Sequence, residues 1–186
     1  TQKGEWKCKE GVAKDLSISF DGKKVAVICG DNRISLLSVP SLDEISHPEQ
    51  NVYTIYSAAF APCNTKLIAG SDKGLLAIDL EDYKFSPLTK YRHIATKIIF
   101  SRNGKYFAST GRDFSVKIWD YEQFFPLLTL NSGRAPGCVV FTPENDSVML
   151  CDGNKAKIWP LEFIELNKNP QDLLTEMEKD AGMKLK

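Results

Sequence analysis

Side chains suited to catalysis or metal binding are sparse in this 186-residue sequence. Its two histidines, His47 and His93, leave little material for a Ser–His–Asp relay or an imidazole-rich metal site. His47 stands in the loop sequence HPEQ and reads as a solvated residue. The five cysteines, Cys8, Cys29, Cys63, Cys138 and Cys151, are odd in number, widely spread and never in a CxxC pair. That usage predicts neither a disulfide framework nor a zinc site; it predicts inert thiols packed as small core residues in a reducing, intracellular compartment. Asp21, Asp31, Asp113 and Asp152 all fall at hairpin turns, where a carboxylate accepts hydrogen bonds from the local backbone. No GxSxG elbow, GxGxxG fingerprint, Walker loop or HExxH occurs, and the Gly70–Gly74 stretch GSDKG reads as a turn between strands. The expectation is therefore no catalytic residue, no cofactor and no metal.

Bulk composition points the same way. Lys plus Arg and Asp plus Glu both number 24, so the zero formal charge argues against a general polyanion binder and against electrostatic capture by an acidic membrane. Hydrophobic residues at 42% can build a core. No apolar run approaches the roughly 18 residues of a membrane span, and the opening TQKGEWKCKEG lacks the apolar stretch of a signal peptide. Function is expected to reside on a surface, which makes the elements that present the surface the next question.

Those elements repeat about every forty residues. Apolar runs end at Phe20, Phe60, Phe100 and Phe141, spaced 40, 40 and 41 apart, and a second ruler through Leu37, Ile78, Trp119 and Trp159 is spaced 41, 41 and 40. Turn sequences FDGKK, APCNTK, SRNGK and TPENDS supply the Gly and Asn that tight hairpins need. In SVKIW, Val116 and Ile118 alternate with Ser115 and Lys117, the period of a sheet with two different faces. KVAVIC, KLIAG, YFAST and VMLC are apolar on both faces and suit central strands. SLDEIS, YKFSPL and FFPLLTL are weaker fourth strands, with Pro87 and Pro126 suited to an edge. Small four-stranded sheets cannot bury both faces alone, and radial stacking covers them: an all-β propeller.

Unit three, RHIATKIIFSRNGKYFASTGRDFSVKIWD, closely resembles a WD40 repeat. The resemblance implies that His93, Ser109, Asp113 and Trp119 form a hydrogen-bonded tetrad within the blade. The other units end Leu37-Ser38, Ile78-Asp79 and Trp159-Pro160 and lack the histidine. Four blades are expected, over 14–50, 51–91, 92–133 and 134–163. The family usually closes with seven or eight, so the chain reads as part of a larger propeller whose remainder belongs to a longer chain or a partner. The rival is self-closure, with an N-terminal strand over 1–13 (GEWKCK) completing a blade. Residues 164–186 predict a short C-terminal α-helix, with Asn169 as cap, Pro170 in its first turn, Gly182 as stop, and a stripe of Leu173, Leu174 and Met177 for docking.

The turns between second and third strands, and the loops entering each first strand, should share one face. There Lys73, Arg92, Arg112, Phe114 and Arg134 are the candidate partner-binding residues, with Phe114 beside Arg112 having the makeup of a binding hot spot. On the other face one of Phe124 and Phe125 should enter the core and the other stay exposed. The resemblance implies a non-enzymatic protein–protein interaction scaffold, a subunit of a larger intracellular assembly, in the cytoplasm or nucleus, without direct nucleic-acid binding. The alternative is a substrate-adaptor domain of an enzyme whose catalytic residues lie outside this chain.

Overall fold

The computed structural model describes residues 4–46, 53–88, 94–132, 136, 138–152 and 154–161. Blade 1 contains β1 (Ala13–Ile18), β2 (Lys24–Cys29), β3 (Ile34–Ser38) and β4 (Glu44–Ser46). Blade 2 contains β5 (Ile55–Phe60), β6 (Lys66–Ser71), β7 (Gly74–Asp79) and β8 (Phe85–Pro87). Blade 3 contains β9 (Ala95–Phe100), β10 (Tyr106–Gly111), β11 (Ser115–Asp120) and β12 (Pro126–Asn131). Blade 4 contains β13 (Cys138–Phe141), β14 (Ser147–Asp152) and β15 (Lys155–Pro160). Each is an antiparallel meander in which sequence neighbours pair, and together they form a four-bladed propeller arrangement. Pro87 and Pro126 both occupy edge strands, as their missing N–H requires.

One turn design recurs four times between the first and second strands. Gly22, Asn64, Gly104 and Asn145 each adopt positive φ and donate their N–H to the carbonyl three residues back, on Ser19, Ala61, Ser101 and Thr142. Gly and Asn tolerate that left-handed backbone, so the turn residues set the register. In three of the four turns the leading hydroxyl adds a clasp. Ser101 Oγ, for example, donates to the Tyr106 carbonyl at 2.9 Å and accepts from the Tyr106 N–H at 3.0 Å.

The core lies between blades. Ala26, Ile28 and Leu36 of blade 1 meet Ala58, Leu67 and Ile78 of blade 2. Ile68 and Leu75 of blade 2 meet Ile98, Phe107 and Trp119 of blade 3. Ala108, Val116 and Ile118 of blade 3 meet Val139, Val148 and Leu150 of blade 4. Burying each such large side chain contributes roughly 1.5–3 kcal/mol. Polar pins cross the same seams: the Phe60 and Ile98 N–H groups donate to Ser17 and Ser57 Oγ of the preceding blade at 3.1 and 3.0 Å. Asn64 Oδ1 likewise accepts from the Phe20 N–H at 2.7 Å.

Three sequence expectations change. The first ruler is offset in unit one. The strand-ending equivalent of Phe60, Phe100 and Phe141 is Ile18, paired with Val25 as Phe60 is with Leu67, while Phe20 lies in the turn with its ring 6.1 Å from that of Phe100. Four of the five cysteines are disulfide-bonded, Cys8 to Cys29 and Cys138 to Cys151, with Cα separations of 5.8 and 5.1 Å. Cys138 and Cys151 are direct cross-strand partners, a proximity that a linear separation of 13 residues hides, so cysteine usage no longer supports a reducing compartment. Residues 4–12 form no strand; Trp6 and Cys8 pack against Val27 and Leu37 on the outward face of blade 1, and blade 4 has three strands among the described residues. The expected helix over 164–186 lies outside the described residues.

Gly70 shows how closely blades approach: a Cβ there would lie 2.6 Å from the Ala95 carbonyl oxygen of the next blade. Gly70→Ala is expected to cost about 1–3 kcal/mol by forcing that seam apart, read as a lower urea midpoint. A variant that unfolds at the wild-type midpoint would contradict the contact.

Candidate functional site

The β2–β3, β6–β7 and β10–β11 turns stand beside the loops that enter the inner strands, and hydrogen bonds tie them there. The Asp72 N–H donates to the Thr54 carbonyl at 3.1 Å, and the Arg112 N–H to the Ile94 carbonyl at 3.2 Å. The Arg112 guanidinium reaches across to blade 2 and sits over the Tyr56 ring, 5.4 Å from its centroid, a cation–π contact that fixes its direction. Lys73 pairs with Asp72 at 3.5 Å and is well exposed.

The β2–β3 and β10–β11 turns are built alike. Asn32 and Phe114 occupy equivalent positions, with φ of 67° and 64°, and donate their N–H groups to the Cys29 and Gly111 carbonyls at 3.0 and 3.3 Å. Asp31 and Asp113 each accept a backbone N–H, from Arg33 at 3.1 Å and Ser115 at 3.2 Å. Asn suits left-handed backbone; a bulky ring does not, and such placements cost roughly 1–3 kcal/mol. Phe114 is held there by its own carbonyl, which accepts from the Ser132 N–H and Oγ at 3.0 and 2.8 Å. Phe114 stays 47% exposed, two residues along the chain from Arg112. The same slot is filled in blade 1 by Asn, a residue that favours this backbone.

Within blade 3, Trp119 Nε1 donates to Ser109 Oγ at 2.8 Å, and Asp113 Oδ1 accepts from Ser115 Oγ at 2.7 Å. His93 lies outside the described residues, as do His47, Arg92, Arg134, Leu173, Leu174 and Met177. Blade 4 illustrates the value of the Ser109 bond by contrast. Leu150 stands where Ser109 does, and Trp159 Nε1 is buried with no hydrogen-bond partner among the described residues. Phe124 joins the core around Phe107, while Phe125 is exposed.

Two features were not anticipated. Tyr56 carries no sequence signal for its role under Arg112. Cys63, an exposed free thiol in the β5–β6 turn, accepts from Thr65 Oγ1 at 3.3 Å and lies 3.8 Å from the Tyr121 hydroxyl. Burial pushes this thiol up, but hydrogen bonds from Thr65, Tyr121 and the Lys66 backbone outweigh it and hold the thiol below its ordinary value. Burial and the neighbouring Cys63 in turn push Tyr121 up to about 12. Among the described residues, no group of three or more His, Cys, Asp or Glu side chains could hold a metal ion. No helix there is long and apolar enough to cross a membrane.

Residues 85–120, which hold most of blade 3 and the Ser109–Trp119 bond, match the family model described as WD domain, G-beta repeat. That segment is a WD40 repeat, set in a four-bladed propeller-like arrangement, and the chain is similar to WD-repeat proteins. Its relatives include the intraflagellar transport protein 122 homolog of Xenopus tropicalis, 25% identical over 71% of this chain and 11% of that protein. Actin-interacting protein 1 of Drosophila melanogaster is 28% identical over 88% of the chain and 28% of the relative. The methylosome protein WDR77 of Xenopus laevis is 30% identical over 50% of the chain and 30% of the relative. The chain thus spans between about a tenth and a third of the length of these proteins.

Ser109→Ala removes the buried acceptor of Trp119 Nε1–H and is expected to destabilise the chain by about 1–3 kcal/mol, measured by urea unfolding. An unchanged stability would show that the bond contributes nothing. Without reductant, Cys63 alone should react with iodoacetamide. Its lowered pKa leaves more thiolate at a given pH, so the rate should reach half-maximum at a lower pH than for an unstructured thiol. Thr65→Val should move that midpoint upward; labelling of the other four cysteines before reduction would contradict the disulfides.

Proposed function

We propose that this chain is a non-enzymatic scaffold that holds other proteins, within a multi-subunit intracellular assembly, on the face carrying the β6–β7 and β10–β11 turns. The observation that carries this reading is Phe114: a large, exposed ring held in a left-handed backbone slot that Asn fills in the sister turn, two residues along the chain from an arginine oriented by Tyr56. Exposed aromatic and arginine side chains that are already ordered lose little entropy on binding, which is how a few residues dominate an interface. Lys73 extends the patch from blade 2, and Arg92 and Arg134 extend it in sequence. WD-repeat relatives named for transport, actin interaction and the methylosome support a role in assemblies, and the spread of those names leaves the partner to be found by experiment.

Affinity capture with the wild-type chain, compared side by side with Phe114→Ala and Arg112→Ala, tests the face. At least one captured protein should bind each variant about fivefold or more weakly, equivalent to roughly 1 kcal/mol or more. Phe114→Asn should lose binding while gaining stability, because it restores the residue the backbone prefers. Capture profiles identical for wild type and all three variants would remove this face as the binding site.

A further inference from the structure

The inner strands of blades 1, 2 and 3 share an irregularity near their starts. Register against the second strand skips one residue at the same point in each: Lys14, Tyr56 and Thr96. A bulge of this kind re-aims a side chain. Lys14 Nζ donates to Asn32 Oδ1 of the β2–β3 turn at 3.1 Å, and Tyr56 lies under the Arg112 guanidinium of the β10–β11 turn. The Thr96 and Thr110 hydroxyls stand 2.9 Å apart. Bulges and turns thus meet on one rim.

The carboxylates of the three turns are committed to the fold. Asp31 accepts from the Arg33 N–H at 3.1 Å and faces the Arg33 guanidinium at 3.3 Å. Asp72 accepts from the Thr54 N–H at 3.0 Å, and Asp113 accepts from the Ser115 N–H and Oγ. One residue beyond the bulges, Asp15 and Lys97 neutralise each other. Lys9 and Glu10, in the loop entering blade 1, offset one another in charge. Lys14 and Arg112 differ. One meets a neutral amide and the other a ring, so neither has a carboxylate partner among the described residues. Lys73 is 65% exposed and shares Asp72 with a backbone N–H. The accessible charge of this rim is therefore cationic, on a chain whose formal net charge is zero.

We propose that the rim receives an extended segment of a partner protein that carries acidic side chains, with Lys14, Lys73 and Arg112 taking its carboxylates. This rests on the reading of the face as a docking surface and names the chemistry of what docks there. The three cations come from three successive blades. Sheets packed face to face stand about 10 Å apart and an extended chain advances about 3.3 Å per residue, so an acid at about every third position keeps pace with the blades. Arg112 can hold a carboxylate through two N–H groups, whereas Lys14 and Lys73 act as point charges. Three cations are too few to hold a nucleic acid backbone at ordinary salt, which favours a peptide.

Fluorescence polarisation with the full 186-residue chain tests this, using a labelled peptide with Glu at every third position among Ser and Leu. A Kd of about 100 μM or tighter is expected at about 50 mM NaCl, weakening about tenfold or more at about 500 mM. The same peptide with Gln for Glu should bind about tenfold or more weakly. Lys14→Glu, Lys73→Glu and Arg112→Glu, all at exposed positions, should each weaken binding about fivefold or more with circular dichroism unchanged. Lys23→Glu makes the same charge change in the β1–β2 turn on the opposite face and should leave binding intact. No binding of the Glu peptide at about 1 mM would overturn the proposal. So would equal binding of the Gln peptide or of a single-stranded oligonucleotide, or a Lys23→Glu chain as weak as the rim variants. Affinity capture separates the two readings. Partners lost with Phe114→Ala but retained at about 500 mM NaCl would keep the docking face and overturn its acidic occupant. Identical capture profiles beside a normal Glu-peptide response would count against the docking face and not against the acid-binding rim.

Discussion

Everything in this molecule depends on small sheets that are apolar on both faces and too narrow to bury either one alone. A three- or four-stranded meander of three- to six-residue strands exposes nearly as much apolar surface as it could hide, so it is stable only against a neighbour. Three of the four buried clusters accordingly lie between successive blades, and the fourth lies under the N-terminal segment on blade 1. Close approach is the corollary. Gly70 stands where no side chain fits, and serine hydroxyls on β1 and β5 take up backbone N–H groups from the next blade.

This constraint also explains which parts of the structure could be read from residues alone. Hairpin turns announce themselves because left-handed backbone selects Gly and Asn at Gly22, Asn64, Gly104 and Asn145, and strand faces announce themselves through period-two alternation. The Leu37–Ile78–Trp119–Trp159 ruler held because those residues share one register position beside Val25, Leu67, Phe107 and Val148. The Phe20 ruler slipped by two because aromatic identity is not register. Ile18 does the work of the strand-end aromatic, and Phe20 reaches Phe100 from the turn instead.

Long-range pairings were the hidden part. A cysteine count says nothing about which strands will be neighbours, and the bonds Cys8–Cys29 and Cys138–Cys151 exist only once the meander and the N-terminal segment are in place. Tyr56 under Arg112 is the same kind of fact, a contact across blades between residues far apart in sequence. The ion pair of Lys97 with Asp15, 2.6 Å long, spans even further, from the inner strand of blade 3 to that of blade 1. With Asp15 only 11% exposed, this pair sits on the inner side of the arc, where a charge needs its partner.

The two equivalent turns at Asn32 and Phe114 separate what the fold needs from what it permits. Both satisfy the same hydrogen bonds with the same backbone, one with a residue that favours the conformation and one with a residue that resists it. Stability alone would drive the second toward Asn or Gly. The blade tolerates Phe because the Ser132 clamp and the flanking seams over-determine the loop, so the cost is absorbed without loss of register. A repeat fold of this kind leaves its turn positions free to vary while the seams hold the register, and blade 3, which combines the Ser109–Trp119 bond with the strained Phe114, shows both properties in one unit.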